Sequence, residues 1–241
     1  MSSDLENEAM DQRRLGLLIL ENKSGTALLE AVPHLRNAAH LWEQAGWPSR
    51  QAGCLADLGR CYAQAGQPGT AVGAYREALT LFDHGKQIAE ACDAACGAGM
   101  AALQASDAPS AARYFKRALT FAKELNDHVR LAQVQLDLAQ ANVDLGLADE
   151  AIEQAQAALR TFDNFRQHTR SVLCHQTIAA AHALAGRYDQ AAAAYQRCAE
   201  RYFELGRPFE ACQVLSTHAD MEIRRGNHRT GRQLLERCLA Q

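Results

Sequence analysis

Position 66 of the chain is a glycine, and a turn residue returns every forty positions after it: Gly66, Ser106, Gly146, Gly186 and Gly226. Five residues beyond each come Ala71, Ala111, Ala151, Ala191 and Gly231. A fixed period of this length means that one structural unit is copied and stacked, each copy touching only its neighbours. The core of such a chain is spread along the stack, so its 241 residues need not close around one centre. Stacked helical repeats mostly present an extended surface to other chains, and the period therefore weighs against an enzyme.

A second beat halves the first. Gly46, Gly85, Asn126 and Gly206 fall near the midpoints, and Gly and Asn are the residues a left-handed helix C-cap requires. Between turns, apolar residues recur at helical spacing, as in Leu55, Leu58 and Tyr62, then Ala71, Tyr75, Ala78, Leu79 and Phe82. Alanine is abundant and β-branched residues are scarce, which favours helix throughout. The spacing predicts helices over 5–21, 27–45, 49–65, 68–84, 87–105, 108–125, 128–145, 148–165, 168–185, 188–205, 208–225 and 228–240. Pro48, Pro68, Pro109 and Pro208 stand at predicted helix starts, where a missing amide hydrogen costs nothing. Pro33 lies about a turn inside its helix and predicts a late start or a kink there.

The best-formed unit reads Leu55-x-x-Leu58-Gly59-x-x-Tyr62, Gly66, then Ala71-x-x-x-Tyr75-x-x-Ala78, and it resembles the tetratricopeptide repeat with Leu in place of the first Trp. Later units keep the second helix best: Ala111, Phe115, Ala118; Ala151, Ala155, Ala158; Ala191, Tyr195, Cys198. Gly99 repeats Gly59, and Ala139, Ala179 and Ala219 take that place later, so that a small residue faces a large ring and two helices approach closely. The forty-residue length is similar to the long repeats of soluble NSF attachment proteins, kinesin light chains and the Gα-binding polarity adaptors. The resemblance implies an all-α, right-handed superhelical solenoid of antiparallel helix pairs, about 12 helices and no strands. It would be a single domain over 1–241, with a degenerate first pair at 1–46 and repeats at 47–86, 87–126, 127–166, 167–206 and 207–241.

In that family the first helix of each pair lines an inner groove. The resemblance thus places Asp57, Arg60, Gln64, Asp93, Met100, Gln104, Gln133, Asp137, Gln140, Asp144, Gln176, Thr177, Gln213, Thr217, Asp220 and Arg224 toward a ligand. Glutamine both donates and accepts, which suits a peptide backbone of almost any sequence. The Lys/Asn/Arg clamp with which some relatives hold chaperone C-termini is not matched by a basic set here. The function expected is a non-enzymatic scaffold or adaptor that binds a segment of a partner protein. A peptide-responsive regulator is the alternative, and an adaptor for a disassembly ATPase ranks lower because the end LLERCLAQ carries one acid.

The remaining features argue against other classes. Residues 1–46 hold seven acids against four Lys/Arg and residues 197–241 hold eight Lys/Arg against six acids, so neither end forms a nucleic-acid surface. Leu15 to Leu20 is too short for a signal core or membrane span, which leaves the cytoplasm as the expected location. Cysteines recur in register (Cys54 and Cys174, Cys92 and Cys212, Cys198 and Cys238), as small packing residues do, and are expected to be free thiols. Gly97-Ala-Gly99-Met-Ala-Ala102 spells a dinucleotide fingerprint but sits mid-helix with no strand before it. Cys92 with Cys96, and His175, His182 and His218, lack a second ligand pair at metal spacing. No cofactor, metal or catalytic set is therefore expected. At the C-terminus Leu234, Leu235 and Leu239 form a possible docking edge, open to self-association because no following repeat covers it.

Overall fold

The computed structural model describes residues 2–239, and among them are twelve α-helices, one 3-10 helix and no strand. The helices are α1 (Ser2–Asn22), α2 (Ala31–Gln44), α3 (Pro48–Gln64), α4 (Pro68–His84), α5 (Ile88–Gln104) and α6 (Ala108–Glu124). They continue with α7 (His128–Asp144), α8 (Ala148–Asn164), α9 (His168–Leu184), α10 (Tyr188–Glu204), α11 (Pro208–Arg224) and α12 (His228–Leu239). The helix expected at 27–45 is instead a 3-10 helix, Gly25–Glu30, followed by α2. Pro33 explains the break: with α2 starting at Ala31, the missing amide falls in the first turn, where no intrahelical bond is lost.

From α3 to α11 every helix has 17 residues, and a three-residue link makes the repeat twenty. Each of these links within a unit is a Schellman turn. After α3, Gln67 N–H donates to the Tyr62 carbonyl at 2.8 Å and Gly66 N–H to that of Ala63 at 3.2 Å. The Gln67 carbonyl then accepts Ala71 N–H at 3.1 Å and opens α4, so one residue closes a helix and starts the next. The turn needs one left-handed residue. Gly46, Gly66, Gly146, Gly186, Gly206 and Gly226 supply it, but Lys86, Ser106, Asn126 and Arg166 adopt the same conformation at φ of 54–59°. The expected turn residue Gly85 is right-handed (φ −77°), and the turn falls one position later, on Lys86.

The chain forms two compact units, Met1–Asp127 with α1 to α6 and His128–Gln241 with α7 to α12. Consecutive helices pack antiparallel within each unit. In the first, α3 also approaches α5, and in the second α7 approaches α9, with no comparable approach of α4 to α6 or α8 to α10 among the described residues. The first helices of the pairs therefore lie on the inside of each array. The cores are rich in alanine: Ala71, Ala78, Ala91, Ala111 and Ala118 in one unit and Ala139, Ala151, Ala155, Ala158 and Ala179 in the other are fully buried.

Glycine goes further than alanine where rings intrude. A Cβ on Gly99 would lie 2.6 Å from the fully buried Phe115 ring. One on Gly59 would lie 2.7 Å from Tyr75, and one on Gly97 would lie 2.6 Å from the same tyrosine. Tyr75 of α4 is thus wedged between α3 and α5. The fingerprint-like Gly97 and Gly99 are two packing notches for two rings.

Left-handed backbone costs a side-chain-bearing residue about 1–2 kcal/mol, partly offset because glycine loses more entropy on folding. Arg166→Gly is therefore expected to stabilise the protein by roughly 0.5–1 kcal/mol, read as a higher urea midpoint at unchanged slope. A lower midpoint would contradict the turn assignment.

Candidate binding clefts on the inner faces

In the Met1–Asp127 unit a cleft of about 520 Å³ runs between α3 and α5. Asp57 and Arg60 come from α3, Glu90 and Asp93 from α5, Tyr75 and Phe82 from α4, and Arg13 from α1. Arg13 Nε donates to Asp57 at 2.9 Å, and Arg60 reaches the other carboxylate oxygen at 3.3 Å. Gly53 gives the Arg13 guanidinium its seat, since a Cβ there would lie 3.3 Å from it. The acid at the middle of this cleft is neutralised by the chain itself.

In the His128–Gln241 unit, a cleft of about 390 Å³ is lined by Gln133, Leu136, Asp137 and Gln140 of α7, Leu173, Gln176, Thr177 and Ala180 of α9, Tyr195 of α10, and Thr217 of α11. A second cleft of about 360 Å³ shares Tyr195 and Thr217 with the first and extends along α11 past Asp220, Met221, Arg224 and Arg225. The floor is apolar at Leu136 and Ala180, and amides and hydroxyls stand around it. Thr177 and Thr217 donate their hydroxyl protons to the carbonyls of Leu173 (3.0 Å) and Gln213 (3.1 Å) and keep their lone pairs for acceptance.

Asp137 occupies the position of Asp57 two repeats later, but its setting differs. It accepts Gln133 Nε2 at 2.9 Å, and among the described residues no cation forms an ion pair with it. Burial raises its carboxyl from the usual 3.8 to about 6, opposed by the Gln133 hydrogen bond and the field of Arg170. Beneath the cleft His218 stacks on Tyr195 with centroids 5.7 Å apart. Burial holds the His218 imidazole below its ordinary range, with Glu222 pulling the other way. The Tyr195 hydroxyl is raised chiefly by the same loss of solvent.

Of the residues placed toward a ligand by sequence, Asp57, Arg60 and Asp93 share the first unit's cleft. Gln133, Asp137, Gln140, Gln176, Thr177 and Thr217 share one cleft of the second, and Asp220 and Arg224 the adjoining one. Gln64, Met100, Gln104, Asp144 and Gln213 are exposed and line none of these clefts. The docking edge divides: Leu234 packs into the core of the second unit, Leu235 is 40% exposed, and the side chain of Leu239 lies outside the described residues. Sequence reasoning missed Arg13, Leu136, Leu173, Ala180, Tyr75 and Tyr195. The two tyrosines had a signal, because their ring position is phenylalanine at Phe115, and a hydroxyl there marks a tip that leaves the core.

Among the described residues no group of three or more His, Cys, Asp or Glu side chains could hold a metal ion, and no helix is long and apolar enough to cross a membrane. All eight cysteines are free thiols.

Asp137→Asn tests the electrostatics. With a folded pKa above the unfolded one, the native state binds the extra proton between pH 4 and 6, so wild-type stability falls as pH rises through that window. The Asn variant should be more stable at pH 7.5, by about 1–2 kcal/mol. The difference should vanish as pH falls from 6 to 4, as followed by thermal melts.

No family model matches the sequence, and no curated protein matches it. Solved structures match its fold. The apo form of RapI superposes with a TM-score of 0.78 at 13% identity, over 97% of each chain. A Rap protein complexed with competence and sporulation factor gives 0.60 at 14% identity, over 97% of this chain and 74% of that one. Kinesin light chain TPR-like repeats from Podosopora anserina give 0.67 at 17% identity, over 80% and 94%. Helix pairs, forty-residue period and these similarities together establish that the chain has the fold of the tetratricopeptide-type helical-repeat proteins.

Proposed function

We propose that the protein is a non-enzymatic binding module whose second unit, His128–Gln241, holds an extended segment of a partner protein, or a peptide, along α7, α9 and α11. The observation that carries this reading is the contrast between the two equivalent acids. Asp57 is satisfied by Arg13 and Arg60, whereas Asp137 lies half-buried beside Gln133, Gln140 and Gln176, feels the field of Arg170, and forms no ion pair among the described residues. A row of amides over an apolar floor suits main-chain groups, which need a donor and an acceptor at each step. The clefts on α11 extend the track to Asp220 and Arg224.

A second reading supported by the comparisons is a regulator that responds to a small peptide. Two similar structures are complexes: a Rap protein with competence and sporulation factor, and a Rap conjugation gene regulator of plasmid pLS20 with the Phr* peptide, which matches at 18% identity with a TM-score of 0.57. Under this reading the ligand changes the curvature of the array. Solution scattering with the captured peptide separates the two, since a plain scaffold keeps its radius of gyration and a responsive regulator contracts.

Replacing Gln133, Asp137, Gln140 and Gln176 together by Ala should weaken partner capture roughly thirtyfold or more, at about 0.5 kcal/mol or more per lost hydrogen bond. The melting temperature should not fall. Replacing Gln64 and Gln104, which line none of the clefts described above, should leave capture unchanged; undiminished binding by the quadruple variant would refute the cleft.

A further inference from the structure

The repeat places one residue of each first helix against one of the second, 26 positions later. These facing pairs are Ala52 with Ala78, Cys92 with Ala118, Ala132 with Ala158, Val172 with Cys198, and Cys212 with Cys238. Small side chains occur here because the two helices cross closely: the Cys92 thiol lies 3.5 Å from the Ala118 carbonyl and that of Cys198 lies 3.6 Å from the carbonyl of Val172. Only the last pair has cysteine on both sides. There the contact is reciprocal, with Cys212 Sγ 3.7 Å from the Cys238 carbonyl and Cys238 Sγ 3.7 Å from the Cys212 carbonyl.

We infer that Cys212 and Cys238 are a site of reversible disulfide formation that staples α12, the last helix, to α11. Each sulfur is in contact with the other residue's backbone across an antiparallel helix pair, and a disulfide needs such a close approach of its two residues. Cys92 and Cys198 are fully buried, but Cys212 and Cys238 are half-buried, so a small oxidant reaches them. α12 packs on α11, and its Arg237 guanidinium stands over the Phe203 ring of α10, 5.5 Å from the centroid. Through Leu234 and Cys238 it covers a core that includes Ala211 and Leu215.

The chemistry needs a peroxide. One thiolate attacks the O–O bond, giving a sulfenic acid and one water. The second thiol then displaces the sulfenic oxygen as another water. Two S–H bonds are lost and one S–S bond is formed, and the two electrons removed from sulfur reduce hydrogen peroxide to two waters. Burial and the neighbouring Cys212 push the Cys238 thiol upward, which makes the reaction faster in mild alkali. Closing a 26-residue interval restrains the unfolded terminal pair and holds α12 down.

The test treats the full chain with hydrogen peroxide at pH 8, followed by peptide mapping without reductant and by trypsin digestion of native protein. The expected result is a cross-linked peptide joining Cys212 to Cys238, two hydrogens lighter than the separate thiols and released by dithiothreitol. Cleavage after the exposed Arg229 and Arg232 should slow about tenfold in the oxidised protein. Cys238→Ser should abolish both effects and Cys198→Ser neither, with circular dichroism confirming helix content in each. Persistent free thiols, sulfinic acid at either cysteine, a bridge between two chains, or unchanged cleavage would each overturn the assignment.

Discussion

A ring pressed into the place of a missing side chain is the contact on which the rest of the structure depends. Tyr75 sits between Gly59 and Gly97, and Phe115 against Gly99. Burying such a ring contributes about 1.5–3 kcal/mol, but its geometric effect matters as much. The ring of a second helix fills the wedge between two consecutive first helices and lets them approach on the inside of the array. Where the notch is Ala139 and the facing residue Ala155, Ile178 and Leu159 fill the same space. The repeat therefore tolerates different fillers, provided the volume between helices is conserved.

Packing and binding are joined at these rings. Tyr195 is 3% exposed, yet it lines both clefts of the second unit, so its ring belongs to the core and its tip to the cleft floor. The inner face around it needs no loop or lid, because helices of fixed length and turn present polar side chains one turn apart along α7, α9 and α11. Arg13 shows how the chain treats the same face when it is filled internally: a guanidinium on Gly53 pairs with Asp57 and closes the acid's account. The second unit provides Asp137 with an amide instead, and burial raises its carboxyl to a pKa of about 6.

Most of the fold was legible in the sequence because a helix of 17 residues and a three-residue turn repeat their signals at fixed register. Prolines at 48, 68, 109 and 208 mark helix starts that the structure places within a residue or two. The gaps between expected helices at 85–86 and 166–167 hold both turns, but the left-handed conformation of Lys86 and Arg166 was not legible, since a lysine or arginine at positive φ has no local signature; the Schellman hydrogen bonds and helix packing impose it there. Gly85 drew the turn one residue early for the same reason. At the candidate site, the family resemblance named helices that line the clefts but not the depth along them. Asp144 and Gln213 lie on inner helices yet beyond the clefts, while Arg13 entered from α1, whose irregular pair breaks the register.

The central claim is that notch and ring are one interaction, with the notch empty because the ring is there. A double-mutant cycle at Gly99 and Phe115 measures it directly. Gly99→Ala alone should destabilise the protein by about 1–3 kcal/mol through overpacking, and less in the Phe115→Leu background, where the side chain is smaller. A coupling of about 1 kcal/mol or more in denaturant unfolding is the predicted result. Strictly additive effects would show that glycine at this position serves the helix backbone alone and would contradict the account.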